Sequence, residues 1–467
     1  MGGLFTALNA ASTSLSTHQK VIEVTGNNIA NVNTPGYSRQ RAILTPYPAL
    51  NFNGVTIGQG VKVGDIMREQ DAFLTNQILQ KSAGYGEADA KTFPLAELER
   101  VFGIDEGGIS GEINNFFDAW QELTANPGGQ TERDIVIQRG ELLAKSFHTA
   151  LTDLDGVKRN IDDSLLSRVD GVNDSLRRVA DLNVRISTIE STGQTANSFR
   201  DERDRLLADL SAAIGIQSLE DKDGNVMVQL PGGQPLVQKG NTLTLETETV
   251  QDQFLLRVTT SGGVSTPVDT TTVGGAFKGL LEIRDNLIPD LEGQLDKMAY
   301  SLATELNALH STGTDLNGNT GTLFFAPMPS PAPPANPWDG AANALQVALT
   351  SPDQLAAGAT AAPGDNTIAL AIAGLSTAKI VDGTDTLTGA YSRISAQVGL
   401  EAGQNRLASE ANRDTMTQLQ NMRDSTVGVS LEEEMINLIQ YQKGFEASAK
   451  FLATVDEMMD TILSIKR

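Results

Sequence analysis

The chain has no cysteine among its 467 residues, which excludes disulfides, thiolate nucleophiles and thiolate metal sites together and suits a protein that leaves the cell unfolded. Histidine is almost as scarce. His18, His148 and His310 stand isolated, without a second histidine at ligand spacing. Aromatic residues make up 5% of the chain and tryptophan occurs twice, so aliphatic seams between helices are favoured over ring-lined ligand pockets. There is no Gly-x-Ser-x-Gly elbow and no phosphate-binding glycine loop with its lysine. Carboxylate pairs such as Asp162-Asp163 read as a solvated helix face on so acidic a chain. No catalytic, cofactor or metal-ligating residue is assigned, and the expectation is a protein that is not an enzyme.

Positive charge is also short, with 35 basic residues against 58 acidic ones and a net charge of -23. Such a chain repels nucleic-acid phosphates and anionic lipid, and the nearest approach to a basic cluster, Arg177-Arg178, lies in an acidic helical stretch. Long apolar runs are missing too. The longest near-apolar run, Ile368 to Leu375, falls far below the ~20 residues a bilayer helix needs. Residues 1 to 17 hold no Lys or Arg ahead of an apolar stretch, so no cleavable signal is expected and an exported chain would rely on a machine that reads something else.

What is present is helical periodicity at both ends. Leu4, Leu8, Ala11, Leu15, His18, Ile22, Thr25 and Ile29 alternate steps of four and three, which is a heptad seam. The last helix repeats the pattern with Leu438, Tyr441, Phe445, Ser448, Leu452, Val455, Met459 and Ile462. Isolated helices are marginal and bury an apolar face only against a partner, so the two seams are expected to pair and bring both chain ends together. The outer face of the first helix is largely Asn, Ser, Thr and Gln, able to meet other subunits without burying charge. His18 lies on the seam, where a polar residue can specify register at some cost in stability.

A chain of this length suggests about three domains. Residues 131 to 190 form a long helical pattern with Leu154, Val157, Ile161, Leu165, Val172, Leu176, Val179 and Ile186 on one face, opened by a Thr131/Asp134 capping box. Residues 65 to 102, 200 to 214, 276 to 312 and 391 to 424 also read as helix. After Gly215, Val226, Val228 and Leu230, then Leu243 and Leu245, alternate with polar residues around Pro231-Gly232-Gly233, as in a small β domain. The run from Pro327 to Pro337 favours extended polyproline geometry. The fold class expected is mainly α with inserted β domains: an elongated multidomain rod whose N- and C-terminal helices pair as a coiled coil. Its parts are a terminal domain of 1–60 with 425–467, a helical rod of 61–215, 276–312 and 386–424, a β domain of 216–275, and a second insertion of 313–385. Asp315-Leu316-Asn317-Gly318-Asn319 lacks the turn glycine and the final glutamate of a calcium loop, so an Asx turn is expected there, as at Asp221 to Asn225.

The first helix runs into Asn27-Asn28-Ile29-Ala30-Asn31-Val32-Asn33-Thr34-Pro35-Gly36-Tyr37-Ser38-Arg39-Gln40, where proline forces Thr34 into extended geometry and Pro-Gly suits a tight turn. Locally this is a helix stop. The whole string resembles the N-terminal signature shared by flagellar rod, hook and hook-associated proteins, and Tyr37 to Gln40 is similar to its hook-associated members. Gly428 to Met435, continuing through Tyr441-Gln442, resembles the closing helix of the same family, and Gly313 to Asn319 with Leu323-Phe324-Phe325 resembles an internal segment of the hook-associated members. The resemblance implies a structural subunit of the bacterial flagellum at the junction between hook and filament, extracellular once exported. It also implies self-association in a ring or tubular layer, with paired terminal helices inside and β domains outside. The implied partners are the hook protein, the next hook-associated protein, the export apparatus and an export chaperone on the C-terminal helix. Another axial subunit, of hook or rod, is the alternative; a secreted hydrolase is a more distant one.

Overall fold

The computed structural model describes residues 2–52, 55–103, 108–250, 253–330, 335–362 and 364–465. The chain opens with helix α1 (Gly2–Ala30), followed by strands β1 (Gln40–Pro46), β2 (Leu50–Phe52), β3 (Val55–Ile57) and β4 (Val61–Arg68). Helices α2 (Ala72–Val101), α3 (Ile109–Ala125), α4 (Gln130–Glu190) and α5 (Asn197–Ile214) form the body. Strands β5 (Gln217–Glu220), β6 (Val226–Gln229), β7 (Pro235–Gln238), β8 (Asn241–Thr242), β9 (Thr244–Val250), β10 (Gln253–Thr259) and β11 (Ser265–Val268) follow. Helix α6 (Gly275–Glu282) runs through a π turn into α7 (Ile288–His310). The short α8 (Ala341–Ala344) and α9 (Thr367–Ala373) precede the two long closing helices, α10 (Leu387–Val427) and α11 (Leu431–Ile465).

The spine is α4, whose 61 residues span about 90 Å at 1.5 Å per residue. All eight apolar positions read from its periodicity are buried, and of the polar residues between them Lys158 and Asn183 are buried as well. Its first turn differs from expectation. The N-cap is Gly129, no side chain caps the helix, and Thr131 already lies inside the first turn. Helices α2 and α5 pack at very short range where glycine removes the side chain: a Cβ on Gly86 of α2 would overlap the Ala212 carbonyl oxygen of α5. Helix α10 lies along α2, with the Asn405 and Asn412 amides donating to the carbonyls of Ala88 and Gly84 at 2.9 and 3.0 Å.

The β segment makes an antiparallel sheet of order β5-β6-β7-β8 and a second of order β11-β10-β9. Asparagines of α4 tie both to the spine. Asn183 donates to the carbonyls of Val226 and Lys239 and accepts from Val226 N–H, and Asn173 exchanges both bonds with Leu245. Two features were not expected. Helix α3 carries Phe116 and Trp120 into the core, and residues 61 to 68 are strand β4, paired with β1 in place of helix. The helix anticipated from residue 65 therefore begins at Ala72, where Asp71 caps it by accepting from Leu74 N–H at 3.0 Å. Strand β4 packs on α1, with the Val61 carbonyl accepting from Thr17.

The segment 313–385 is mostly irregular and is anchored by Phe324 and Phe325, both fully buried against Phe116, with Phe324 also against Trp120. Residues 331–334 of the expected polyproline run lie outside the described residues. Asp315 forms the Asx turn, its carboxylate accepting from the backbone N–H of Asn317 and Asn319; Asp221 does the same with Asp223 and Asn225. His310 staples the segment to α7. Its Nδ1 stands 2.8 Å from the Thr322 carbonyl oxygen and its Nε2 accepts from Ala356 N–H at 2.9 Å, an arrangement that needs the neutral ring with its proton on Nδ1.

Burial pushes the His310 imidazole below its ordinary value of 6.5. The unfolded chain therefore binds a proton that the native state refuses, and stability is lost as pH falls below 6.5. Thermal unfolding from about pH 8 to about pH 5 should show a steeper loss in the native chain than in His310→Gln, and equal slopes would contradict the assignment.

Candidate functional site

The two chain ends pair. Helices α1 and α11 run antiparallel, a register fixed by Ser14 Oγ 2.9 Å from Ser448 Oγ, His18 against Tyr441 with ring centroids 6.2 Å apart, and Asn28 Nδ2 3.0 Å from Glu434 Oε2. Of the seam residues read from the sequence, His18, Tyr441 and Ser448 make these contacts across the pair, and α1 also buries Thr17, Val21 and Asn28, which the heptad reading left out. Ala11, Thr25 and Val455 are buried; Leu4, Leu8, Leu15, His18, Ile22 and Ile29 on α1, and Leu438, Tyr441, Phe445, Ser448, Leu452 and Met459 on α11, are half-buried. Ile462 is exposed near the end of α11. Across from His18 sits Gly444, where a Cβ would stand 2.6 Å from the imidazole Cε1, so the ring fills the notch that glycine leaves. His18 Nδ1 is buried without a hydrogen-bond partner.

A second face of α1 meets the strand pair. Thr17 donates to the Val61 carbonyl at 2.8 Å, and Thr13 donates to that of Gln59 at 3.3 Å. Sequence reading found one stripe on each terminal helix and missed the others. On α11, Met435, Ile436, Ile439, Phe451, Met458 and Leu463 are exposed large apolar side chains outside the seam. Their signal was present as apolar residues off the heptad.

The Asn-rich motif is a clamp as well as a helix stop. Asn28 is 1% exposed and uses all four of its hydrogen-bonding positions. Its amide donates to the Gln40 carbonyl and to Glu434, and its oxygen accepts from Gln40 N–H and the Tyr37 hydroxyl. Asn27 accepts from Asn31 at 2.7 Å and Asn31 from Thr34 at 3.1 Å, while Asn33, Thr34 and Pro35 are exposed. Gly36 has φ +79°, a left-handed conformation that favours glycine, and its carbonyl accepts from Arg423 of α10 at 2.7 Å. Ser38 N–H donates to Asp201 of α5 at 3.0 Å.

Arg39 closes the clamp, pairing with Glu434 at 2.7 Å and Glu433 at 2.8 Å. Burial pulls its guanidinium downward, and the Glu434 and Glu433 carboxylates more than reverse this, leaving it above the usual arginine value. The Tyr37 phenol is pushed up to about 12, first by burial and then by the Asp201 and Glu434 carboxylates. Neither group is poised for proton transfer near neutral pH. The arrangement joins elements of the fold; among the described residues no group of three His, Asp or Glu is placed to hold a metal ion and no helix is long and apolar enough to cross a membrane.

Family models of flagellar proteins match both ends and the helical body of this chain. Residues 8–37 match the flagella basal body rod protein model, residues 415–465 the flagellar basal body rod FlgEFG protein C-terminal model, and residues 95–325 the flagellar hook-associated protein FlgK helical domain. Along nearly its whole length the chain is similar to flagellar hook-associated protein 1. It is 29% identical over 509 residues to flagellar hook-associated protein 1 of Bacillus subtilis (strain 168), covering 99% of each chain. It is 23% identical over 546 residues to that of Escherichia coli (strain K12), covering 98% of this chain and 99% of the relative. The fold is shared with the flagellar hook junction protein FlgK from Burkholderia pseudomallei, with TM-score 0.68 and 18% identity over 76% of this chain and all of that one.

The clamp makes a direct prediction. Asn28→Ala leaves the buried Gln40 backbone groups and Glu434 short of partners and should destabilise the terminal unit by about 2–4 kcal/mol. Hydrogen exchange should then quicken in residues 31–46 and 431–440 while α4 keeps its protection. Asn28→Asp should not restore it, because it sets a second carboxylate beside Glu434. Unchanged exchange in Asn28→Ala would contradict the clamp.

Proposed function

We propose that the seam between α1 and α11 is the assembly element of a structural subunit at the junction between hook and filament of the bacterial flagellum. The observation that carries this reading is the incomplete burial of the terminal pair. Most seam residues are half-buried, and α11 keeps a second set of apolar side chains, Met435, Ile436, Ile439, Phe451, Met458 and Leu463, in solvent. Exposed apolar faces of this kind mark surfaces that are covered by partners. Neighbouring copies in a ring or tubular layer supply that cover. The match of residues 95–325 to the hook-associated helical domain favours the junction over a hook or rod shaft subunit.

The partners that follow are the hook protein on one side and the next hook-associated protein on the other, with the export apparatus and a chaperone on the C-terminal helix acting before assembly. The terminal unit, extended to Arg68, lines the inner tube; the helical rod lies outside it, and the β segment and the 313–385 segment lie at the surface.

Leu452→Asp places a charge in the seam without touching the core of the rod. Incorporation into flagella should fall by about 10-fold or more while the main thermal unfolding transition stays in place. Normal incorporation of this variant would overturn the seam as the assembly element.

A further inference from the structure

Two residues in the middle of the terminal pair are individually poor choices for a helix interface. Gly444 is the only glycine of α11, and an interior glycine weakens a helix relative to alanine. His18 sets a polar ring at the contact, and its Nδ1 is buried without a hydrogen-bond partner, which is unfavourable in its own right. The two stand against each other. Three of the five imidazole ring atoms, Cε1, Nε2 and Nδ1, lie 2.6, 2.8 and 3.1 Å from the place a Cβ on residue 444 would take, so the ring lies across the glycine and does not merely touch it with its tip. Tyr441 of the same helix flanks the ring, with centroids 6.2 Å apart.

Each residue accounts for the other: the glycine gives the ring its room, and the ring fills the gap that the glycine leaves. Ser14 with Ser448, His18 with Gly444 and Asn28 with Glu434 fall on one antiparallel register. Sliding α11 by one heptad in either direction would bring Asn437 or Phe451 to the place of Gly444, and neither side chain leaves space for an imidazole. Asn28 fixes the end of the pair through hydrogen bonds, whereas selection at His18 is by size. We propose that His18 and Gly444 form a specificity pair: the imidazole admits a helix with glycine at that point and rejects one with a side chain there, so α1 takes α11 in this register in preference to slipped pairings and to other helices. The inference rests on the pairing of α1 with α11 and not on the place of the chain in the flagellum.

The absence of cysteine lets the pairing be read by a disulfide placed across it. The full chain carrying Ser14→Cys and Ser448→Cys, at positions whose hydroxyl oxygens stand 2.9 Å apart, should crosslink on mild oxidation. Adding Gly444→Ala should slow that crosslink by about 10-fold or more, and adding His18→Ala as well should recover most of the loss. The helix propensity of alanine acts in the opposite direction, so a crosslink that forms as fast or faster with Gly444→Ala overturns the specificity pair. So does a loss that His18→Ala leaves in place, which would put the conflict with the backbone of α1 and not with the imidazole. The double variant decides the case even where Gly444→Ala alone leaves the terminal pair unfolded.

Discussion

The terminal half of this molecule depends on one buried amide. Asn28 holds the end of α1, the returning loop at Tyr37 and Gln40, and Glu434 at the start of α11 in a single fully bonded node. Aliphatic heptads alone tolerate a slip of register, because one leucine fits nearly as well as the next. A buried amide does not slip, since any other register leaves its donors, its acceptor and the Glu434 carboxylate without partners in a place water cannot reach. Arg39 adds charge to the same point and ties Glu434 and Glu433 to the loop.

The two halves of the chain use opposite strategies. The rod has a continuous aliphatic and aromatic core, glycine notches at helix crossings and asparagine staples onto its sheets, so it is complete as a single chain. The terminal unit is a two-helix pair with a strand hairpin on one side and solvent on the other, and many of its large apolar side chains stay wet. A pair of that size has too little interior to bury both faces of α11. On the function proposed above, it is a part of a larger wall completed by neighbouring subunits.

The rod spine and the terminal helices were legible because periodicity is a local property: Leu154 to Ile186 on α4 fall where a 3.5 to 3.6 repeat puts them, and the same repeat pointed to helices at both ends. The strand pair was not read, since Val61, Val63 and Ile66 are few and lie directly before a strong helical pattern. The Thr131/Asp134 pair looked like a cap, yet the helix starts at Gln130 with Gly129 as its N-cap, so Thr131 already lies inside the first turn. The motif from Asn27 to Gln40 was visible as a helix stop and as a family signature, but its partners Asp201, Arg423 and Glu434 lie 160 to 400 residues away, and nothing local announces them.

The central claim, that the chain sits between hook and filament and is held there by its paired ends, is tested most directly by electron microscopy of flagella from cells that lack it. The account predicts completed hooks without attached filaments. Filaments still joined to hooks in those cells, or cells with no hooks at all, would contradict it.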